Sequence, residues 1–200
     1  MKNEITISAG NRKMGAIPSV SLPAVVTCPK SAPCYKECYA LRMERLRHTV
    51  KDSYDRNYDA YKRDPDNYFR TIANAARMQR FFRWHVSGDI PDSAYLAGMV
   101  KVAIDCPGTK FLAFTKKGDL VNAFIENGGT IPGNLQILFS TWGAWRVNNP
   151  HAFPECEIIF PGHEPAQTWK VCGGNCTECA CRGIGCWELH RGETIAIYKH

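Results

Sequence analysis

Short runs of apolar and β-branched residues alternate along this chain with stretches whose apolar positions recur at helical spacing. The run PAVVT (23–27) predicts a first strand that ends at Cys28. From about Cys38 to Gln79 the spacing turns helical, with a break near Asp64–Pro65, where proline removes a backbone donor. Within it Tyr54, Tyr58 and Tyr61 share one face. Such a face ordinarily packs on a sheet, and its second reading is a stacking platform for bases. FFRWHV (81–86) predicts a strand closed by Ser87-Gly88-Asp89, and its alternation sends one of Trp84 and His85 inward and the other outward. SAYLAGMVKVAI (93–104) predicts an amphipathic helix capped by Asp92 or Ser93. KFLAFT (110–115), NLQILFS (134–140), EIIF (157–160) and TIAIY (194–198) predict strands. DLVNAFIEN (119–127) predicts a helix ended by Gly128-Gly129.

Strands that alternate with helices imply βαβ units and a parallel sheet. About six strands suit either a partial barrel or an open doubly wound sheet. No glycine-rich phosphate fingerprint follows the first strand, which argues against a dinucleotide-binding fold. The expectation is an α/β protein: a partial (β/α)6-like barrel over 1–165, with a cysteine-rich, metal-binding segment over 166–200 packed on it. Either sheet architecture gathers functional residues at the C-terminal ends of its strands. Those residues are Cys28, Asp89, Thr115, Ser140, Thr141, Trp142 and His163.

Composition narrows the chemistry. Hydrophobic residues at 44% and charged residues at 22% exclude a long disordered chain. A net charge of +6 is compatible with a nucleotide, a nucleic acid or another anionic partner. The opening residues MKNEITISAGNRKMG lack the apolar run of about 7–15 residues that secretion needs. No segment approaches the ~20 apolar residues of a membrane span. These features predict a soluble cytoplasmic protein with no membrane partner. Ten cysteines then need a reason, because disulfides are rare in a reducing compartment. Three lie in 28–38 and five in 172–186, the close spacing by which several thiolates reach one metal group.

The first group reads TCPKSAPCYKECYA (27–40), with Cys28, Cys34 and Cys38 in C-x5-C-x3-C spacing. A closed structural site takes four ligands. Three cysteines can instead hold an iron–sulfur cubane and leave one iron open to a small molecule. The competing reading is zinc, with a fourth ligand from His48, Cys106 or Cys156. The second group, CGGNCTECACRGIGC (172–186), holds Cys172, Cys176, Cys179, Cys181 and Cys186. Four of these five suffice for zinc or for a second iron–sulfur cluster, and Cys176-x2-Cys179 is its firmest pair. Cys106 and Cys156 read as buried core thiols.

A three-cysteine loop directly after the first strand of a β/α barrel resembles the radical SAM superfamily. That resemblance implies a [4Fe-4S] cluster on Cys28, Cys34 and Cys38, whose open iron binds S-adenosylmethionine. An external donor then supplies an electron, and reductive cleavage gives a 5′-deoxyadenosyl radical. It also implies that Ser87, Gly88 and Asp89 stand where the superfamily's Gly-Gly-Glu-like motif contacts the methionine amino group. By position Tyr39, Ser140 and Thr141 are further contacts for the cofactor, and a nucleotide or nucleic acid is the expected substrate class. The sequence departs from the superfamily's usual C-x3-C-x2-C, and Glu37 replaces the aromatic before the third cysteine. More closely, GNRKMGAIP, LPAVVTCP, CYKECYA, RWHVSGDI and the terminal cysteines followed by Lys199-His200 resemble the bacteriophage gene-product-88 group. The rival to an enzyme is a non-catalytic, metal-stabilised phage module that contacts nucleic acid or a host protein.

Overall fold

In the computed structural model, which describes residues 5–199, polar caps and prolines set the helix boundaries. Three helices follow the first cysteine loop: α1 (Tyr39–Leu46), α2 (His48–Arg63) and α3 (Pro65–Ala76). Pro65 opens α3 beside Asp64, whose side chain accepts from the Asn67 amide. A further break at Arg47 divides the region that the sequence pattern reads as helical up to Asp64. Asp92 caps α4 (Ser93–Asp105) by accepting from the Tyr95 amide, and α5 spans Gly118–Glu126.

The strands are β1 (Ile7–Ser8), β2 (Ser19–Val20), β3 (Phe81–Trp84), β4 (Lys110–Thr115), β5 (Leu135–Ser140), β6 (Glu155–Ile159), β7 (Lys170–Val171) and β8 (Thr194–Tyr198). They form one mixed sheet in the order β1-β2-β3-β4-β5-β6-β8-β7. Only β1 runs antiparallel to its neighbour. From β2 to β6 and then β8, the parallel strands stand in chain order, without the central reversal of a doubly wound sheet. The segment after residue 166 supplies β7, β8 and a short helix α6 (Cys176–Arg182) to this same unit.

One strand expectation is corrected. PAVVT forms turns rather than a strand, and Val25 there has φ of +71°, a conformation that a β-branched residue rarely adopts. The first parallel strand is Ser19–Val20, so the cysteine loop begins several residues beyond its end.

Right-handed crossovers between strands in chain order bring their helices to one face. On that face Phe82, Trp84, Phe111, Ala113, Ile137 and Phe139 pack with Tyr68, Ile72, Tyr95 and Met99 of the helices. Tyr61 joins them edge-on to Tyr95, with ring centroids 4.8 Å apart, and Tyr58 packs against the same core, so these two residues of the tyrosine stripe serve it. The alternate residues Phe81, Leu112, Leu138, Cys156 and Ile195 face the other way, under Ala180, Trp187 and Leu189 of the cysteine-rich segment. Among the described residues, no helix is long and apolar enough to cross a membrane.

Trp84 and His85 do not alternate. His85 has φ of +54°, which returns its ring to the helical side, and its Nε2 lies 3.0 Å from the Tyr95 hydroxyl. Burial, aided by the charges of Arg83 and Lys117, drops the His85 pKa from 6.5 to about 3. The folded protein therefore keeps this ring neutral where the unfolded chain protonates it. Its stabilising contribution is complete above pH 6.5 and drains away as the pH falls toward 3. Urea denaturation across that window should show stability falling by up to about 1.4 kcal/mol per pH unit from this group. His85→Asn should flatten the slope, since asparagine tolerates positive φ but does not titrate.

Candidate functional site

The loop after β2 folds back over the C-terminal ends of the strands. Glu44 of α1 is buried there, accepting from the Ala24 amide and from the Ser87 hydroxyl, each at 2.8 Å. Thr27 donates its hydroxyl to the Pro23 carbonyl and accepts from the Asp89 amide at 3.0 Å. Gly88, at φ +80°, fits between these parts; a Cβ there would meet the Leu22 carbonyl oxygen and Thr27 Oγ1 at 2.7 Å. Ser87 and Gly88 thus join β3 to the cysteine loop.

Cys28, Cys34 and Cys38 are all partly buried, and each of the other two adds a repulsive charge at Cys28. Burial is the main cause that pushes the Cys28 thiol up to about 12, with the Asp89 carboxylate adding to it. The backbone at Val25, in its positive-φ turn, opposes this and favours the thiolate. Burial also raises the Cys34 pKa, against the pull of the Lys116 ammonium. Cys38 caps α1, its sulfur accepting from the Leu41 amide at 3.4 Å.

Asp89 is the hub. Its Oδ1 accepts from the Thr115 hydroxyl at 2.6 Å and the Ile90 amide at 2.7 Å, and its Oδ2 from the Lys116 amide at 2.8 Å. Burial still raises its pKa over these opposing bonds. Lys116 Nζ donates to Ser140 Oγ at 2.8 Å, which brings the ends of β3, β4 and β5 together. Thr141 is turned elsewhere: its hydroxyl donates to buried Glu157 at 2.5 Å, and Glu157 pairs with Arg146 at 2.8 Å. Trp142 packs edge-on to Phe160, and Lys199 lies over both rings while pairing with Glu37 of the cysteine loop. Tyr39 is two-thirds exposed at the start of α1, and His163 is exposed on the turn after β6.

None of the proposed fourth ligands joins this loop. Cys106 Sγ contacts the Ala73 carbonyl at the opposite end of the strands, His48 is exposed on α2, and Cys156 lies on the inner face of β6. Among the described residues, no three Cys, His, Asp or Glu side chains converge on the position of a single ion. A cluster binds one thiolate per iron and so spreads its ligands wider than one ion does. The set fits such a group chemically: three thiols, a buried carboxylate and a lysine occupy one edge, and metal binding would displace the thiol protons that burial favours.

The second cysteine group lies beneath the inner face of the sheet. Cys172, Cys176, Cys179 and Cys186 pack with Phe81, Leu112, Leu138 and Ile195, whereas Cys181 is exposed. Asn175 caps α6 and Gly183 ends it in the left-handed conformation. Burial raises the thiols of Cys176, Cys179 and Cys186, and takes Cys156 up to about 12. Lys116, Glu44 and Arg83 escape a sequence reading. Lys116 and Glu44 sit among charged neighbours and look like solvated residues, and Arg83 is a lone charge in an aromatic run, with no spacing to mark it.

Replacing Glu44 by alanine leaves the Ala24 amide and the Ser87 hydroxyl without their buried acceptor. The expected loss is about 1–3 kcal/mol in urea denaturation, with Ser87→Ala costing less because Glu44 still holds Ala24.

The chain is 29% identical over 122 residues to the gene 88 protein of Mycobacterium phage L5, covering 54% of this chain and 51% of that protein. It thus spans about half the length of the curated relative it matches. No solved structure matches. The family model described as gene product 88 matches residues 2–190, and with nearly the whole length covered, this chain belongs to the gene product 88 family.

Proposed function

We propose that this protein is a radical SAM-type iron–sulfur enzyme whose sheet is a partial (β/α)6-like barrel. The observation that carries the reading is the set of three cysteine thiols, joined among the described residues by none of His48, Cys106 and Cys156, at the edge where Asp89 and Lys116 also meet. Curvature of the sheet is supported by the Glu37–Lys199 pair. It joins the long loop after β2 to the residue that follows β8, across the ends of the strands between them.

Cys28, Cys34 and Cys38 would hold a [4Fe-4S] cluster. When bound, that cluster supplies the electron for reductive cleavage of S-adenosylmethionine, and an external donor replenishes it. The residues of the chain do the rest. The backbone at Val25 favours the Cys28 thiolate. Lys116 brings positive charge to Cys34, suited to an anionic thiolate cluster or to the methionine carboxylate. Asp89 holds the strand ends in register, and its buried carboxylate is the negative group that an amino group would meet. Ser140 shares the Lys116 ammonium, and Tyr39 offers an exposed ring beside Cys38 for adenine. The net charge of +6 supports an anionic substrate such as a nucleotide.

Anaerobically purified protein should be brown and carry about four irons at this site, lost in Cys34→Ala. Reduced with S-adenosylmethionine, it should release 5′-deoxyadenosine, and Cys34→Ala should release none. A colourless protein with zinc alone would replace this reading with a non-catalytic phage binding module.

A further inference from the structure

Arg83 occupies β3 between Phe81 and Trp84, with its side chain on the inner face of the sheet. Its guanidinium stacks on Phe114, 4.2 Å from the ring centroid, and its Nε donates to the Trp84 carbonyl at 3.3 Å. It is partly buried, and among the described residues no carboxylate forms an ion pair with it. A guanidinium stays protonated at every physiological pH, so a buried one needs a negative group nearby. What surrounds it is sulfur: Cys156 on the neighbouring inner face, and Cys172, Cys176 and Cys186 of the segment packed beneath the sheet. As neutral thiols these offer no countercharge. As metal-bound thiolates Cys172, Cys176 and Cys186 do, because a set of four thiolate ligands outweighs the charge of a zinc ion or of the usual iron–sulfur cores.

We propose that Cys172, Cys176, Cys179 and Cys186 bind a second, anionic metal–thiolate group, that Arg83 is its counter-ion, and that exposed Cys181 takes no part. Local structure favours the same four. The Cys172 amide is fixed to the Ala196 carbonyl of β8 and the Cys176 amide to the Lys13 carbonyl, each at 2.9 Å. Gly185, at φ +67°, turns the chain so that Cys179 and Cys186 lie on the same side; a Cβ there would sit 3.4 Å from the Cys179 sulfur. Arg83 is a positioning residue in this arrangement, since it acts on the group through its ligands. The inference does not depend on what the first loop holds.

The test uses full-length protein in which Cys28, Cys34 and Cys38 are all changed to alanine, purified anaerobically and checked for native circular dichroism. Metal and acid-labile sulfide are counted per chain. One bound group should remain: iron with matching sulfide marks a cluster, and zinc without sulfide marks a single ion on which the four thiols draw together. Cys176→Ser with Cys179→Ser in that background should abolish it, whereas Cys181→Ser should not. If the triple variant fails to fold, the wild type with and without the Cys176→Ser and Cys179→Ser pair gives the same difference. Release to a chelator should be about tenfold faster in Arg83→Met and near the wild-type rate in Arg83→Lys. No residual metal, equal loss in Cys181→Ser, or an unchanged release rate in Arg83→Met would each overturn the proposal. Wild-type protein that carries only this second group, with none on Cys28, Cys34 and Cys38, would instead count against the enzyme reading.

Discussion

A carboxylate taken out of water must be given partners, and the organisation of this protein's strand ends follows from how Asp89 is given them. Its two oxygens draw in the Thr115 hydroxyl and the Lys116 and Ile90 amides, while its own amide holds Thr27. One buried group thereby ties the cysteine loop to β3 and β4, and Lys116 extends the tie to Ser140 on β5. Without those bonds the segment around Cys28 would lose its tie to β3 and β4 through Thr27, leaving the Glu44 contacts and the Glu37–Lys199 pair on either side of it.

The fold was legible where a single physical signal ruled. KFLAFT and TIAIY match β4 and β8 to the residue, because bounded apolar runs leave a buried strand no other place to go. Asp92 and Asp64–Pro65 mark helix starts for the same local reason. PAVVT misled because its apolar character serves a turn: Val25 takes a left-handed conformation that no hydrophobic pattern records. His85 misled likewise, since its positive φ cancels the alternation that a strand would impose. The two-residue strands β1 and β7 are too short to carry any period.

The candidate site was legible in its sulfur and largely hidden in its charges. Cysteine spacing reveals both groups, and the spacing of strands puts Asp89 and Ser140 at one edge. Lys116, Glu44 and Arg83 carry no such mark, because what distinguishes each is burial against a distant part of the chain. Cys156 shows the same limit. Alone in the sequence, it pairs in register with Ser140 and lies between the lysine of one group and the thiols of the other.

The chain-order arrangement of the strands also bears on biogenesis. Each of β4, β5 and β6 meets its sheet neighbour one βα unit after that neighbour is made, so the helical side is built up progressively as the chain emerges. The opposite side has no such advantage. Phe81, Leu112 and Leu138 are synthesised well before Trp187, Leu189 and Ile195, and remain wetted until those last residues arrive. A nascent chain stalled before that point would display a bare apolar surface, the form of this protein most in need of a chaperone.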